Sequence, residues 1–119
     1  MVPGVSRNPF RLSESAFQTK ILHVAKLAGW IVHHSRPAQL PSGRWVTPIA
    51  GDVGLPDLIL VHPRRGFIMA EIKTELGRLT AGQKKWLSSL HDAGVEVYVW
   101  RPSMFDDIEK ILTRKEAPK

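Results

Sequence analysis

GLPDLILVHPRRGFIMAEIKTELGRL, residues 54–79, is the stretch that decides how the chain folds. Two apolar runs, Leu58 to Val61 and Phe67 to Ala70, flank the segment HPRRG. Continuous apolar runs of this length read as strands buried on both faces. Pro63 to Gly66 supplies the turn between them. Yet Asp57 opens the first run, Glu71 closes the second, and Lys73 follows two places on. Charged groups at the ends of the most hydrophobic strands call for an explanation.

The explanation is geometric. A hairpin folded about residues 64–65 sets Asp57 opposite residue 71 or 72. Directly opposed residues hold their Cβ atoms about 4.5–5.5 Å apart, which makes Asp57 and Glu71 neighbours at one end of a sheet. Glu71 and Lys73 share a strand face, roughly 7 Å apart along the strand. Two carboxylates that close repel, and each raises the other's pKa unless a cation intervenes. Hard oxygen ligands of this kind suit Mg²⁺ or Mn²⁺, which keep several waters and use one or two carboxylates beside substrate phosphates. Such an ion can polarise a phosphoryl oxygen and lower the pKa of a bound water. A lysine alongside can orient that water or stabilise charge growing on phosphorus. These residue types suit metal-assisted phosphodiester hydrolysis. The plainer alternative is a turn aspartate beside a solvent-facing Glu71–Lys73 pair, of the common and weak surface kind. The spacing speaks against it.

The rest of the sequence fits an anionic partner. The formal charge is +6 with a pI near 10.1, which favours nucleic acid first and an acidic membrane surface second. The length of 119 residues suits one domain, and 43% hydrophobic with 24% charged residues is ordinary globular composition. The absence of cysteine excludes disulfides, thiol catalysis and a Cys-based zinc site. No apolar run approaches the ~20 residues of a membrane span, and MVPGVSRNPFRL lacks the apolar centre of a signal peptide. A cytoplasmic setting is expected.

Residues 1–12 read as a mobile arm, 13–113 as the domain and 114–119 as a tail. A first helix is expected from Ser13, as N-cap, to Ala28, with Gly29 as its stop. Phe17, Ile21, Ala25 and Ala28 fall on one stripe, and Glu14 falls on it too. WIVHH (30–34) reads as a strand, followed by a Pro- and Gly-rich loop over residues 35–55, a length usually associated with function. After the 57–73 hairpin, TAGQKKWLSSLHDAG is a second helix, with Thr80 to Gln83 as a capping box and Trp86 on its core face. VEVYVW is a strand, and SMFDDIEKIL a closing helix capped by Ser103. The order α-β-β-β-α-β-α predicts an α/β fold with a mixed sheet flanked by helices.

Pro56-Asp57, thirteen further residues, and then Glu71-Ile72-Lys73 resemble the PD-(D/E)XK nuclease signature. More narrowly, GLPDLILV, AEIKTELGRLTAGQKKWLSSLHDAG and VEVYVWRP are similar to the VRR-NUC branch of that superfamily. There G-x-PDL, ExK, a Gly-x-Leu-Thr turn, a Gln-bearing helix and a final strand follow in this order. The resemblance runs from about Glu14 to Arg101 and implies a restriction-endonuclease-like core. It also implies a Mg²⁺- or Mn²⁺-dependent nuclease, with Asp57, Glu71 and the Ile72 carbonyl as metal ligands and Lys73 as the catalytic lysine. Glu14 matches an acidic residue that the family places in its first helix near the metal, and Gln83 matches a glutamine lining the site. Dipole complementarity alone would also account for Glu14, and capping alone for Gln83. Small stand-alone members, common in bacteriophages and bacteria, are similar to Holliday-junction resolvases that work as homodimers. Branched DNA is therefore the implied substrate, with the host cytoplasm as the setting if the chain is phage-encoded. The 35–55 loop is longer than the family leads one to expect and bears on specificity.

Arg78, Lys84 and Lys85 follow the ExK strand closely and are candidates for phosphate contacts, with a solvated surface as the alternative. Arg36, Arg44 and Trp45 in the long loop could grip DNA or stack on a base. Arg64 and Arg65 are basic turn residues, and His33 and His34 could approach the site from a strand end. The rival functions are a non-catalytic nucleic-acid-binding module on the same fold and a nuclease acting on flaps, nicks or duplex.

Overall fold

A computed structural model of the chain describes residues 8–35, 38–46 and 50–119. Its three helices are α1 (Glu14–Leu27), α2 (Ala81–Asp92) and α3 (Phe105–Thr113). Its strands are β1 (Ile31–His34), β2 (Ala38–Gln39), β3 (Trp45–Val46), β4 (Leu58–His62), β5 (Gly66–Ile72) and β6 (Glu96–Trp100). Four strands form one mixed sheet in the order β1-β4-β5-β6, antiparallel except for the parallel β5–β6 pair. The expected architecture is the observed one, and it is α/β.

Strand alternation splits the sheet into two unlike faces. Leu58, Leu60, Ile68, Ala70, Ile72 and Trp100 point to one face, where they pack with Phe17, Ile21 and Ala25 of α1 and Ile108 and Leu112 of α3. Each of the Leu, Ile and Phe side chains among them contributes about 1.5–3 kcal/mol on burial, so this layer holds the domain together. The Trp30 indole N–H donates to the Leu112 carbonyl at 2.8 Å and ties the start of β1 to the end of α3. The opposite face carries Met69 and Glu71, and α2 lies over its β6 side.

Ser13 caps α1 by accepting from the Ala16 amide at 3.1 Å. Thr80 and Gln83 form the full capping box of α2. Such caps are worth roughly 1 kcal/mol each. Several expectations need correction. Within the segment read as an arm, Pro9–Arg11 is a 3-10 turn, and Leu12 packs against the core. Residues 1–7 lie outside the described ones. Trp86 is only partly buried, since α2 has no buried residue, and its indole N–H donates to the Asp52 carbonyl at 3.2 Å. Helical spacing identified the inward side of α2 but not its depth. Ser103 does not cap α3. Pro102–Met104 forms a 3-10 turn, and the Ser103 amide donates to Glu75 Oε2 at 3.0 Å. The long loop contains its own ribbon of β2 and β3, pairing Ala38 with Val46 and Gln39 with Trp45.

Candidate active site

The β4–β5 ladder pairs Leu58 with Ala70. One step further in the same register, Asp57 stands opposite Glu71. The Ile72 amide donates to Asp57 Oδ2 at 3.0 Å and pins that carboxylate against the end of β5. The Lys73 amide donates to the Trp100 carbonyl at 3.0 Å, so β5 remains held to β6 where the lysine begins. Glu71 thus lies within β5, while Asp57 and Lys73 stand one residue outside β4 and β5, each held there by a hydrogen bond.

Glu71 is 2% exposed, the one buried charged residue among those described. Its Oε1 accepts from Gln83 Nε2 at 2.7 Å. Its Oε2 is buried with no hydrogen-bond partner. A carboxylate without solvent is costly to ionise. Burial first, and then the Asp57 charge beside it, push the Glu71 pKa up to about 8, against a smaller pull from Lys73. In the metal-free protein a retained proton meets this cost, and a bound cation would take the proton's place.

Gln83 serves both ends of this contact. Its Oε1 accepts from the Thr80 amide at 2.9 Å, and the Gln83 amide donates to Thr80 Oγ1 at 3.1 Å. The capping box therefore fixes the side-chain amide with its NH₂ toward Glu71. The structural and functional readings of Gln83 are the same arrangement.

The loop entering β4 is locked to α2 by two glycines. Gly54 has φ +109, and a Cβ there would lie 2.4 Å from the Gly82 carbonyl carbon. A Cβ on Gly82 would lie 2.7 Å from the Val53 carbonyl oxygen. Only glycine permits this approach, and it sets the distance between Asp57 and the Gln83-bearing helix.

Glu14, at the first position of α1, also reaches the site. Its pKa is raised by partial burial and then by Asp57, and Lys73 opposes the shift. The residue is nevertheless exposed, unlike Phe17, Ile21 and Ala25 on the same stripe. The groove beside it is lined by Gln18, Thr19, His34 and Ser35 as well. His34, at the end of β1, shares that groove with Glu14, whereas His33 is exposed on the other parity of the strand. The structure thus brings together Glu14, Asp57, Glu71, Lys73 and Gln83.

The basic candidates divide. Arg78, Lys84, Lys85 and Arg44 are exposed, and Arg36 lies outside the described residues. Arg65 is a structural residue: its guanidinium donates to the carbonyls of Ala28, Thr113 and Arg114. Arg114 returns the contact to the Arg65 carbonyl and pairs with Glu96 through both terminal nitrogens, at 2.6 and 2.7 Å.

Arg101 is the residue that sequence reasoning missed. Its Nη1 donates to the carbonyls of Thr74, Glu75 and Gly77 at 2.7, 3.2 and 2.7 Å. This gathers the turn that follows Lys73, whose Cδ lies 3.5 Å from where a Gly77 Cβ would be. Only its place in the closing WRP of the last strand set it apart in the sequence. Arg101→Ala is expected to leave part-buried carbonyls unpaired, at a cost of about 1–3 kcal/mol. Thermal unfolding and cleavage rate check this: both should fall, with DNA affinity nearly unchanged.

Two carboxylates fit an ion that takes few protein ligands and keeps its waters. Among the described residues, no cluster of three or more His, Cys, Asp or Glu forms an all-protein metal cage. The orphaned Glu71 Oε2 beside Asp57 is the feature that fits a bound cation.

The family model of the VRR-NUC domain matches residues 43–104, slightly more than half of the chain. That span contains Asp57, Glu71, Lys73 and Gln83 but begins after Glu14. Neither a curated protein nor a solved structure matches the chain. The ordered motifs, the mixed sheet and the matched span agree: this chain belongs to the VRR-NUC domain family of the PD-(D/E)XK nuclease superfamily.

Proposed function

We propose that the chain is a Mg²⁺- or Mn²⁺-dependent endodeoxyribonuclease that hydrolyses phosphodiester bonds in branched DNA, in the manner of a Holliday-junction resolvase. The observation that carries this reading is the buried, half-unpartnered Glu71 carboxylate beside Asp57, with Lys73 on the next position of the same strand face. Asp57, Glu71 and the Ile72 carbonyl would hold the ion, with the charge of Glu14 at the start of α1 acting on the same site through space. When bound, the ion would polarise the phosphoryl oxygen and acidify a bound water.

The chain's own groups do the rest. Lys73 orients the attacking water and steadies the charge that grows on the phosphoryl oxygens. Gln83 holds Glu71 by one oxygen and leaves the other free. Arg78, Lys84 and Lys85, exposed beyond the ExK strand, take phosphates, as does Arg44 from the ribbon. Residues 13–113 form the nuclease domain, and the reaction belongs in the cytoplasm where the DNA is. No helix among the described residues is long and apolar enough to cross a membrane. Symmetric cleavage of a four-way junction needs two sites, so the working form is a C₂ homodimer.

A panel of four-way, flap, nicked, splayed and linear duplex DNA, with Mg²⁺ or Mn²⁺ and with EDTA, tests the reading. Cleavage should require the metal and be at least about tenfold faster on the four-way junction than on linear duplex. Binding without cleavage on every substrate would favour the non-catalytic module. Equal rates on all of them would remove the structure selectivity.

A further inference from the structure

From Ser15 to Gly51 the chain contains no Asp or Glu, while Lys20, Lys26, Arg36 and Arg44 lie within that span. Its far end carries the β2–β3 ribbon. The ribbon is closed by the Leu40 amide on the Arg44 carbonyl at 2.8 Å and the Gly43 amide on the Leu40 carbonyl at 2.8 Å. Gln39 Nε2 adds a bond to the Gly43 carbonyl at 3.1 Å. So short a ribbon has no core of its own, yet it displays Trp45 at 64% exposure directly after Arg44. An exposed indole on an acid-free, basic segment complements a polyanion that has flat apolar faces.

Both segments that flank the ribbon are held to elements bearing site residues. On the β1 side, the Ser35 amide donates to the Asp57 carbonyl at 3.2 Å. On the other side, the Asp52 carbonyl receives the Trp86 indole, and Gly54 packs on Gly82 and Gln83. The segments flanking the ribbon are therefore tied to the entry of β4 at Asp57 and to α2, the helix that carries Gln83.

We propose that Trp45 is a stacking platform for an unpaired DNA base next to the scissile phosphate, with Arg44 on the adjoining phosphate, so that the ribbon selects branch points over continuous duplex. The proposal rests on the nuclease reading for the identity of its ligand as DNA. In continuous duplex each base already stacks on its neighbours and offers no free face. At a fork, flap or junction an unstacked base does, and every base has such a face, so the selection is by structure and not by sequence.

The test is binding in EDTA, where no cleavage can occur, to a fork carrying 2-aminopurine at the unpaired position and to a blunt duplex. Trp45→Ala should weaken fork binding about tenfold or more, abolish the fluorescence change and leave duplex binding within about twofold. Trp45→Phe should retain most of the fork preference. Wild-type fork affinity with an intact fluorescence change in Trp45→Ala would overturn the proposal, and so would an equal loss on fork and duplex. Trp45-dependent fork binding by a protein that cuts nothing with any metal would instead defeat the nuclease reading and leave the stacking platform standing. Cleavage with a Trp45-independent preference for branches would do the reverse.

Discussion

Lys73→Ala is expected to lower the cleavage rate by about 10²–10³-fold, the usual cost of removing a group aimed at developing charge. DNA affinity should change little, because one phosphate contact among several is lost and the salt dependence shifts by about one unit. The lysine is only partly buried, and its chain lies along the turn that Arg101 gathers. Truncation could therefore act through that turn. Lys73→Met keeps the aliphatic stem and removes only the ammonium, so it separates packing from charge. An equally inactive methionine variant with an unchanged unfolding temperature assigns the loss to the charge. A methionine variant that cleaves at the wild-type rate would mean that Lys73 serves only the turn.

Glu71→Gln should abolish cleavage and, in metal-free protein, raise stability. The substitution keeps an oxygen for Gln83 and removes a carboxylate that burial makes costly to ionise. The sign follows from linkage. The ordinary value is 4.5 and the folded value about 8. Below pH 4.5 the acid is protonated in both states and makes no difference. Between 4.5 and 8 the unfolded chain releases the proton while the folded chain retains it. Stability of the metal-free wild type should therefore fall across that window, by at most about 1.4 kcal/mol per pH unit, and level off above it. Glu71→Gln should lack this slope, so the two proteins match near pH 4.5 and separate by a few kcal/mol at pH 8. Added Mg²⁺ should recover the wild type at pH 8 and leave the variant unchanged, since a ligand stabilises only the state that binds it. Parallel melting curves for the two proteins between pH 5 and 8 would show that Glu71 is not held protonated.

How much of this was legible in the sequence varied with the physics behind each feature. The meeting of Asp57 and Glu71 follows from a tight turn of known length between two apolar runs, because reflection about a hairpin centre allows an error of only one residue. The caps of α1 and α2 were equally legible, since a cap is a local hydrogen bond. Burial depth was not. Trp86 and Glu14 each sat at the right helical phase, but phase gives direction and not how much material lies beyond. The β2–β3 ribbon was hidden because two-residue strands are too short for alternation to register. Arg65 read as a basic turn residue, and Arg101 drew no reading of its own. The carbonyls that occupy their guanidinium groups come from positions 24 to 49 residues away in the chain, a pairing that no local pattern encodes.

Asp57 and Glu71 together are expected to hold a divalent cation. The most direct measurement is a Mn²⁺ titration at pH 8, followed through the resonance of the free aqua ion, on the wild type, Asp57→Asn and Glu71→Gln. The wild type should take up the ion, and either substitution should remove the uptake. Uptake that survives both substitutions, or none by the wild type even with DNA present, would contradict this expectation.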